Sequence, residues 1–203
     1  MKSDDPDHVF IIDADDWVSL DVVDFVSKEA RTRGGSDFWY VDKGYLVNIQ
    51  DKKLVRKHGL CRYCGTSFIY DYRKLMLLVL ANNPAPSSIS EEAILKALGE
   101  FIVVSFLGNH RYQFGHLAKF GCKPAPIPFY SICWILNTGE NHSGQTGGSS
   151  GLPITAGMLD QFGQNHTLAS SERASVRSRV TELLDMMKSK VGWMLTDKRA
   201  ERV

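Results

Sequence analysis

The chain has 203 residues, with 24 basic against 23 acidic side chains, a net charge of +1 and 43% hydrophobic residues. That length and apolar content suit one domain with a buried core, and the balanced charge excludes the basic surplus by which a general nucleic-acid binder meets phosphates. A composition of 10% aromatic and only 23% charged residues also excludes a chain that is disordered throughout.

The longest apolar runs, Leu75 to Ala81 and Phe101 to Leu107, fall well short of the ~20 residues a transmembrane helix needs. The acidic start, Met1 to Asp7, lacks the charged and apolar regions of a secretory signal, so the expected compartment is the cytoplasm. Cys61, Cys64, Cys122 and Cys133 are too few and too unevenly spaced for a disulfide framework and are read as reduced thiols.

In chain order, His8 to Ile12 is a short apolar run that ends abruptly at Asp13-Ala14-Asp15-Asp16, the pattern of a buried strand reaching a polar sheet edge. Ser19 then fits an N-cap, and Val22, Phe25, Val26 and Ala30 repeat at helical spacing up to Gly34-Gly35. Phe38 to Val41 and Tyr45 to Ile49 are β-rich, and Asp42-Lys43-Gly44 between them reads as a hairpin turn. A further strand is expected over Cys64 to Tyr70 and a helix over Tyr72 to Leu80, ended by Asn82-Asn83-Pro84. Ser88 and Glu91 have capping-box spacing and open a helix with the stripe Ile94, Leu95, Leu98, Phe101 and Ile102.

Pro124, Pro126 and Pro128 predict an extended lead into a strand over Phe129 to Leu136. Thr138 to Gly151 is rich in glycine and serine and reads as a flexible loop or lid. From Ser171 to about Lys190 a helix is expected, with the apolar stripe Val176, Val180, Leu183, Leu184, Met187 and Val191, able to pack on the domain or on a partner. The organisation expected is a catalytic-type domain over residues 1–168 and a helical extension over 169–203.

Chemistry concentrates at the acidic turn. In an extended strand, residues i and i+2 point to the same side, which would present Asp13 and Asp15 together while Asp16 turns away. Three carboxylates in four residues repel one another, and taking them out of water is costly without a cation. The pattern therefore suggests Mg²⁺ or Mn²⁺ held by oxygen ligands. A helix-capping turn rich in aspartate is the structural alternative. An EF-hand loop starting at Asp13 is excluded, because Trp17 and Val18 stand where an oxygen ligand and a glycine are required. Cys61-x-x-Cys64 lacks a second close cysteine pair and makes a poor zinc site.

The stretch Phe10-Ile11-Ile12-Asp13-Ala14-Asp15-Asp16-Trp17-Val18, followed by a helix and by Cys64-Gly65-Thr66-Ser67-Phe68-Ile69-Tyr70 with Arg73, resembles the metal-binding half of a family 2-type glycosyltransferase. The resemblance covers roughly residues 8–145. It implies an α/β, mixed-sheet GT-A-like fold, truncated at its N-terminus, with a C-terminal helix. It also implies a hexosyltransferase-type enzyme that moves a sugar from a nucleotide-diphosphate donor to a carbohydrate or glycan hydroxyl. Asp13, Asp15 and Arg73 would then contact the donor, Asp15 and Asp16 would hold Mn²⁺ or Mg²⁺, and His142 in the glycine-rich loop would complete the metal shell. The family usually places an acidic general base after the Gly-to-Arg stretch; the corresponding region here reads Leu107-Gly108-Asn109-His110-Arg111, with Asn109 where that acid is expected, and His110 is the candidate base.

Only twelve residues precede Asp13, where a complete GT-A domain has the strands that hold the nucleotide base. The expectation is a partial domain, inactive alone or completed by a partner chain or a second copy. Two other readings compete. A haloacid-dehalogenase-type phosphatase would use Asp13 as nucleophile, although Trp17 is unlike that family's residue there. A degenerate, non-catalytic domain would serve as an interaction module.

Overall fold

A computed structural model describes residues 7–33, 36–75, 113, 114, 117, 121–138 and 151–200, with side chains omitted at 32, 33 and 196–200. The described chain is a mixed α/β structure built on a seven-stranded sheet. Its strands are β1 (His8–Phe10), β2 (Trp17–Val18), β3 (Phe38–Asn48), β4 (Lys53–His58), β5 (Phe68–Asp71), β6 (Pro124–Leu136) and β7 (Leu152–Pro153). Among the described residues three complete α-helices accompany them: α1 (Asp21–Arg33), α2 (Ala156–Gln161) and α3 (Val176–Ala200).

β3 organises the sheet. Along one side it pairs in parallel with β6, from Phe38 opposite Pro124 to Asn48 opposite Leu136. Along the other side its first residues pair antiparallel with β5 and its later residues with β4. β1 adds to β5, β7 to β4 and β2 to β6, all antiparallel. The prolines of β6 fall at every second residue. They therefore remove N–H groups on one side of the strand only and leave the other side able to pair with β3.

The expected hairpin centred on Asp42-Lys43-Gly44 is not formed. Those residues lie inside β3, and the reversal comes later, at Ile49 to Lys52, where the Asn48 Oδ1 accepts from the Asp51 N–H at 3.1 Å and Lys52 adopts φ 51°. Gly44 serves close approach instead of a turn. A Cβ there would lie 2.7 Å from the Ile132 carbonyl oxygen and closer still to Leu60. The register against β6 shifts at the same place, between Val41 and Gly44, so the glycine sits beside an irregularity in the ladder.

The expected strand from Cys64 begins only at Phe68, because residues 60–62 form a 3₁₀ turn and Cys64 to Ser67 continue as irregular chain. β4, β7 and α2 carry no strong sequence signal and were not expected. α1 matches its expected span, and the Ser19 Oγ accepts from the Asp21 N–H at 3.3 Å as its cap. The helices expected beyond Leu75 and from Ser88, and the glycine-rich loop, lie outside the described residues apart from a helical start at 72–75 and the loop's ends.

Two apolar layers flank the sheet. On one, Val22 and Val26 of α1 pack with Trp39, Val41, Ile127, Ile132 and Trp134; on the other, Val47, Leu54, Cys133 and Ile135 pack with Leu159 and Phe162 around α2. A third cluster joins Phe38, Phe68, Tyr70, Cys61 and Leu117. Each large side chain buried in this way contributes about 1.5–3 kcal/mol before entropy is subtracted. The outcome for the acidic segment is a fixed position: β1 delivers Asp13 beside the start of β5, and β2 returns the chain against β6.

Candidate metal centre

The acidic segment is a tight turn and not an extended strand. The Asp16 N–H donates to the Asp13 carbonyl oxygen at 3.1 Å, closing a four-residue reversal. The turn changes which carboxylates meet. Ligand atoms of Asp13, Asp16 and Cys64 all lie within 4.8 Å of one another, the one such group among the described residues. Asp15, expected to pair with Asp13, instead accepts from the Thr138 hydroxyl at 3.3 Å just past the end of β6.

Thr66 and Gly65 fit the turn against the irregular chain before β5. The Asp13 N–H donates to the Thr66 Oγ1 at 2.7 Å. Thr66 is fully buried, and its hydroxyl also bonds the Asp16 carboxylate. A Cβ on Gly65 would lie 2.5 Å from Asp13 Oδ2, so only glycine lets the backbone come so near that carboxylate without displacing it. These contacts explain locally why Gly65-Thr66 follows Cys64.

Asp16 is the deepest of the three acids, 9% exposed. Its Oδ2 accepts from the Cys64 thiol at 3.0 Å and its Oδ1 from the Ile135 N–H of β6 at 3.3 Å. Burial pushes its pKa up from 3.8 to about 6, against the opposing pull of the Cys64, Thr66 and Ile135 hydrogen bonds. Burial, followed by the charge of Asp16, pushes the Cys64 thiol well up as well. Cys64 is therefore a proton donor to Asp16 at neutral pH. A neutral thiol is a poor partner for a hard ion, whereas the two carboxylates supply the oxygens that Mg²⁺ and Mn²⁺ prefer. The donor set fits a hard divalent cation on Asp13 and Asp16, with the Cys64 thiol orienting Asp16 through its hydrogen bond to Oδ2.

The remaining expected residues distribute as follows. Arg73 is exposed in the helical turn after β5, outside the carboxylate group, and its neighbour Lys74 pairs with Asp37 at 2.7 Å. His110 and His142 lie outside the described residues. Cys61, three residues before Cys64 in the motif, is buried with Phe38 and Phe68, so the two thiols serve different surroundings. Sequence reasoning missed Thr66 and Cys64 as parts of the site. The available signal was the chain order itself, a small polar tract entering a strand that follows an acidic turn.

Among the described residues no helix is long and apolar enough to cross a membrane. No protein-family profile matches the sequence, and no curated protein or solved structure matches it significantly.

Proposed function

We propose that the chain is the metal-binding part of a glycosyltransferase of the GT-A type, transferring a sugar from a nucleotide-diphosphate donor to an acceptor hydroxyl with Mn²⁺ or Mg²⁺. The observation that carries this reading is the convergence of Asp13 and Asp16 at a turn braced by Thr66, Cys64 and the Ile135 N–H. A turn built only to cap a helix has no need of two converging carboxylates, one of them buried. The capping role for α1 is filled separately by Ser19.

A divalent ion at such carboxylates supplies Lewis-acid stabilisation of the charge that grows on a departing diphosphate. The chain's own part is to hold that ion. Asp13 offers an exposed carboxylate, and Asp16 offers a buried one whose orientation is fixed by three donors. Asp15, beside Thr138, would receive a hydroxyl of the sugar-nucleotide donor in the role the resemblance implies, with Arg73, His110 and His142 assigned from sequence order alone.

Calorimetric titration with Mn²⁺, alone and together with UDP-glucose or GDP-mannose as probes, tests the reading. Nucleotide-sugar binding should require the metal and weaken by about tenfold or more in Asp13→Asn, the scale on which groups at metal sites act. Asp15→Asn should weaken the sugar nucleotide more than the metal. Binding that ignores Mn²⁺, or metal binding unchanged in Asp13→Asn, would remove the proposal. Hydrolysis of a phosphomonoester abolished by Asp13→Asn would replace it with the phosphatase reading.

A further inference from the structure

The C-terminal helix is docked the reverse of what its apolar stripe leads one to expect. α3 meets the sheet through Glu182, Met186, Ser189 and Trp193. Glu182 is buried and pairs with Arg56 at 3.6 Å. Met186 receives the Tyr130 hydroxyl at 3.6 Å, and the Ser189 hydroxyl bonds both the N–H and the carbonyl of His58 at 3.0 Å. Trp193 lies against Gly59, whose added Cβ would come within 2.9 Å of the indole, and beneath the Arg62 guanidinium at 4.7 Å. These four residues recur every three or four positions and form one face.

The opposite face is apolar and bare. Val176 is 80% exposed, Val180, Leu184, Met187, Val191 and Met194 are each just over half exposed, and Leu183 and Leu195 extend the same band. At about 100° per residue these side chains span an arc of about 120° centred away from the docked face. Their combined area, on the order of several hundred Å², is the size at which an exposed patch marks an interaction surface.

The charges beside the stripe choose its occupant. Arg179 and Lys190 border it on one side, Arg177 and Lys188 on the other, and all four are exposed. Among the described side chains, the exposed acid of this helix nearest them, Asp185, lies on the far side of Lys188 and pairs with it at 3.6 Å. A second copy of the helix would bring basic borders against basic borders. An anionic lipid surface answers both features, because acyl chains accept the apolar arc while long basic side chains reach the headgroups.

We infer that α3 is an interfacial helix that seats the protein on an anionic membrane surface, lying in the plane of the headgroups without crossing the bilayer. Docking by the polar face keeps the stripe free for lipid while the hydrogen bonds to His58 and Tyr130 hold the sheet to the anchored helix. The inference is independent of the metal site.

The test is co-sedimentation of the full chain with phosphatidylcholine vesicles, with and without phosphatidylglycerol, alongside its mass in solution by light scattering. Retention should require the anionic lipid and fall about fivefold for each basic residue removed in Arg179→Gln and Lys190→Gln. It should drop to background in Leu184→Gln/Met187→Gln, a change confined to exposed positions, with the far-ultraviolet dichroism unchanged. Equal retention on neutral and anionic vesicles, or none on either, overturns the inference. So does a dimer in solution that Leu184→Gln/Met187→Gln dissolves, which assigns the stripe to a second copy.

Discussion

Replacing Asp16 by Asn separates the cost of burying that carboxylate from its value to the site. Asp16 titrates at about 6 in the folded chain against 3.8 when exposed, chiefly because it is buried. The folded state therefore holds the proton more tightly than the unfolded state, so the contribution of this group is fully present below pH 3.8 and is lost as pH rises through 6. At about 1.4 kcal/mol per pH unit, the loss is about 3 kcal/mol. An asparagine keeps an acceptor for the Ile135 N–H and carries no charge, so it escapes the loss. Urea unfolding of the metal-free protein and of Asp16→Asn at intervals from pH 4 to pH 7.5 measures the effect. Taking the difference between the two proteins removes titrations they share, such as that of Asp37, whose pKa is lowered and whose pH dependence has the opposite sign. The stability of the wild type relative to Asp16→Asn should fall by about 2.5 kcal/mol across that range, the rest of the loss lying below pH 4, and level off above pH 7. A difference that is flat with pH, or that grows in favour of the wild type, refutes the reasoning from burial.

Two further substitutions probe the frame around the turn. Thr66→Val preserves shape in a fully buried position but strips the Asp13 N–H of its acceptor and Asp16 of a donor, so the protein should lose about 1–3 kcal/mol in urea unfolding and the Asp16 titration, followed by carboxyl NMR, should move above 6. Gly44→Ala forces a methyl against the Ile132 carbonyl and Leu60, and a loss of about 1–3 kcal/mol by the same assay is expected, whereas a glycine required only by a turn would show no dependence on side-chain size.

How far the sequence disclosed the structure varies with the kind of signal. α1 was legible because its periodicity, its Ser19 cap and its acidic first turn all agree. The hairpin was misplaced because a glycine after Asp-Lys has the chemistry of a turn, while the need at Gly44 is set by Leu60 and Ile132, which are distant in sequence. β4 escaped because Lys53-Leu-Val-Arg-Lys-His58 carries four basic residues; only pairing with β3, β7 and the edge of α3 gives it a place. At the site, the concentration of aspartates was plain, but which two meet depends on the backbone bond between Asp16 and Asp13 that turns the segment. The apolar stripe of α3 was also plain, and its direction was not, since hydrogen bonds from the polar face to His58 and Tyr130 fixed the helix the other way round.

The long parallel ladder between β3 and β6 sets an order for assembly during synthesis. β3 can join β4 through its short reversal, and then β5, as soon as those segments leave the ribosome, but its other side waits for residues 124–136. Until they arrive, one flank of the central strand stands open and the apolar layer around Val41 and Val47 is half built. Nascent chains stopped before Pro124 therefore lack the partner of that flank, and an unpaired strand edge of this kind is a template for misassembly.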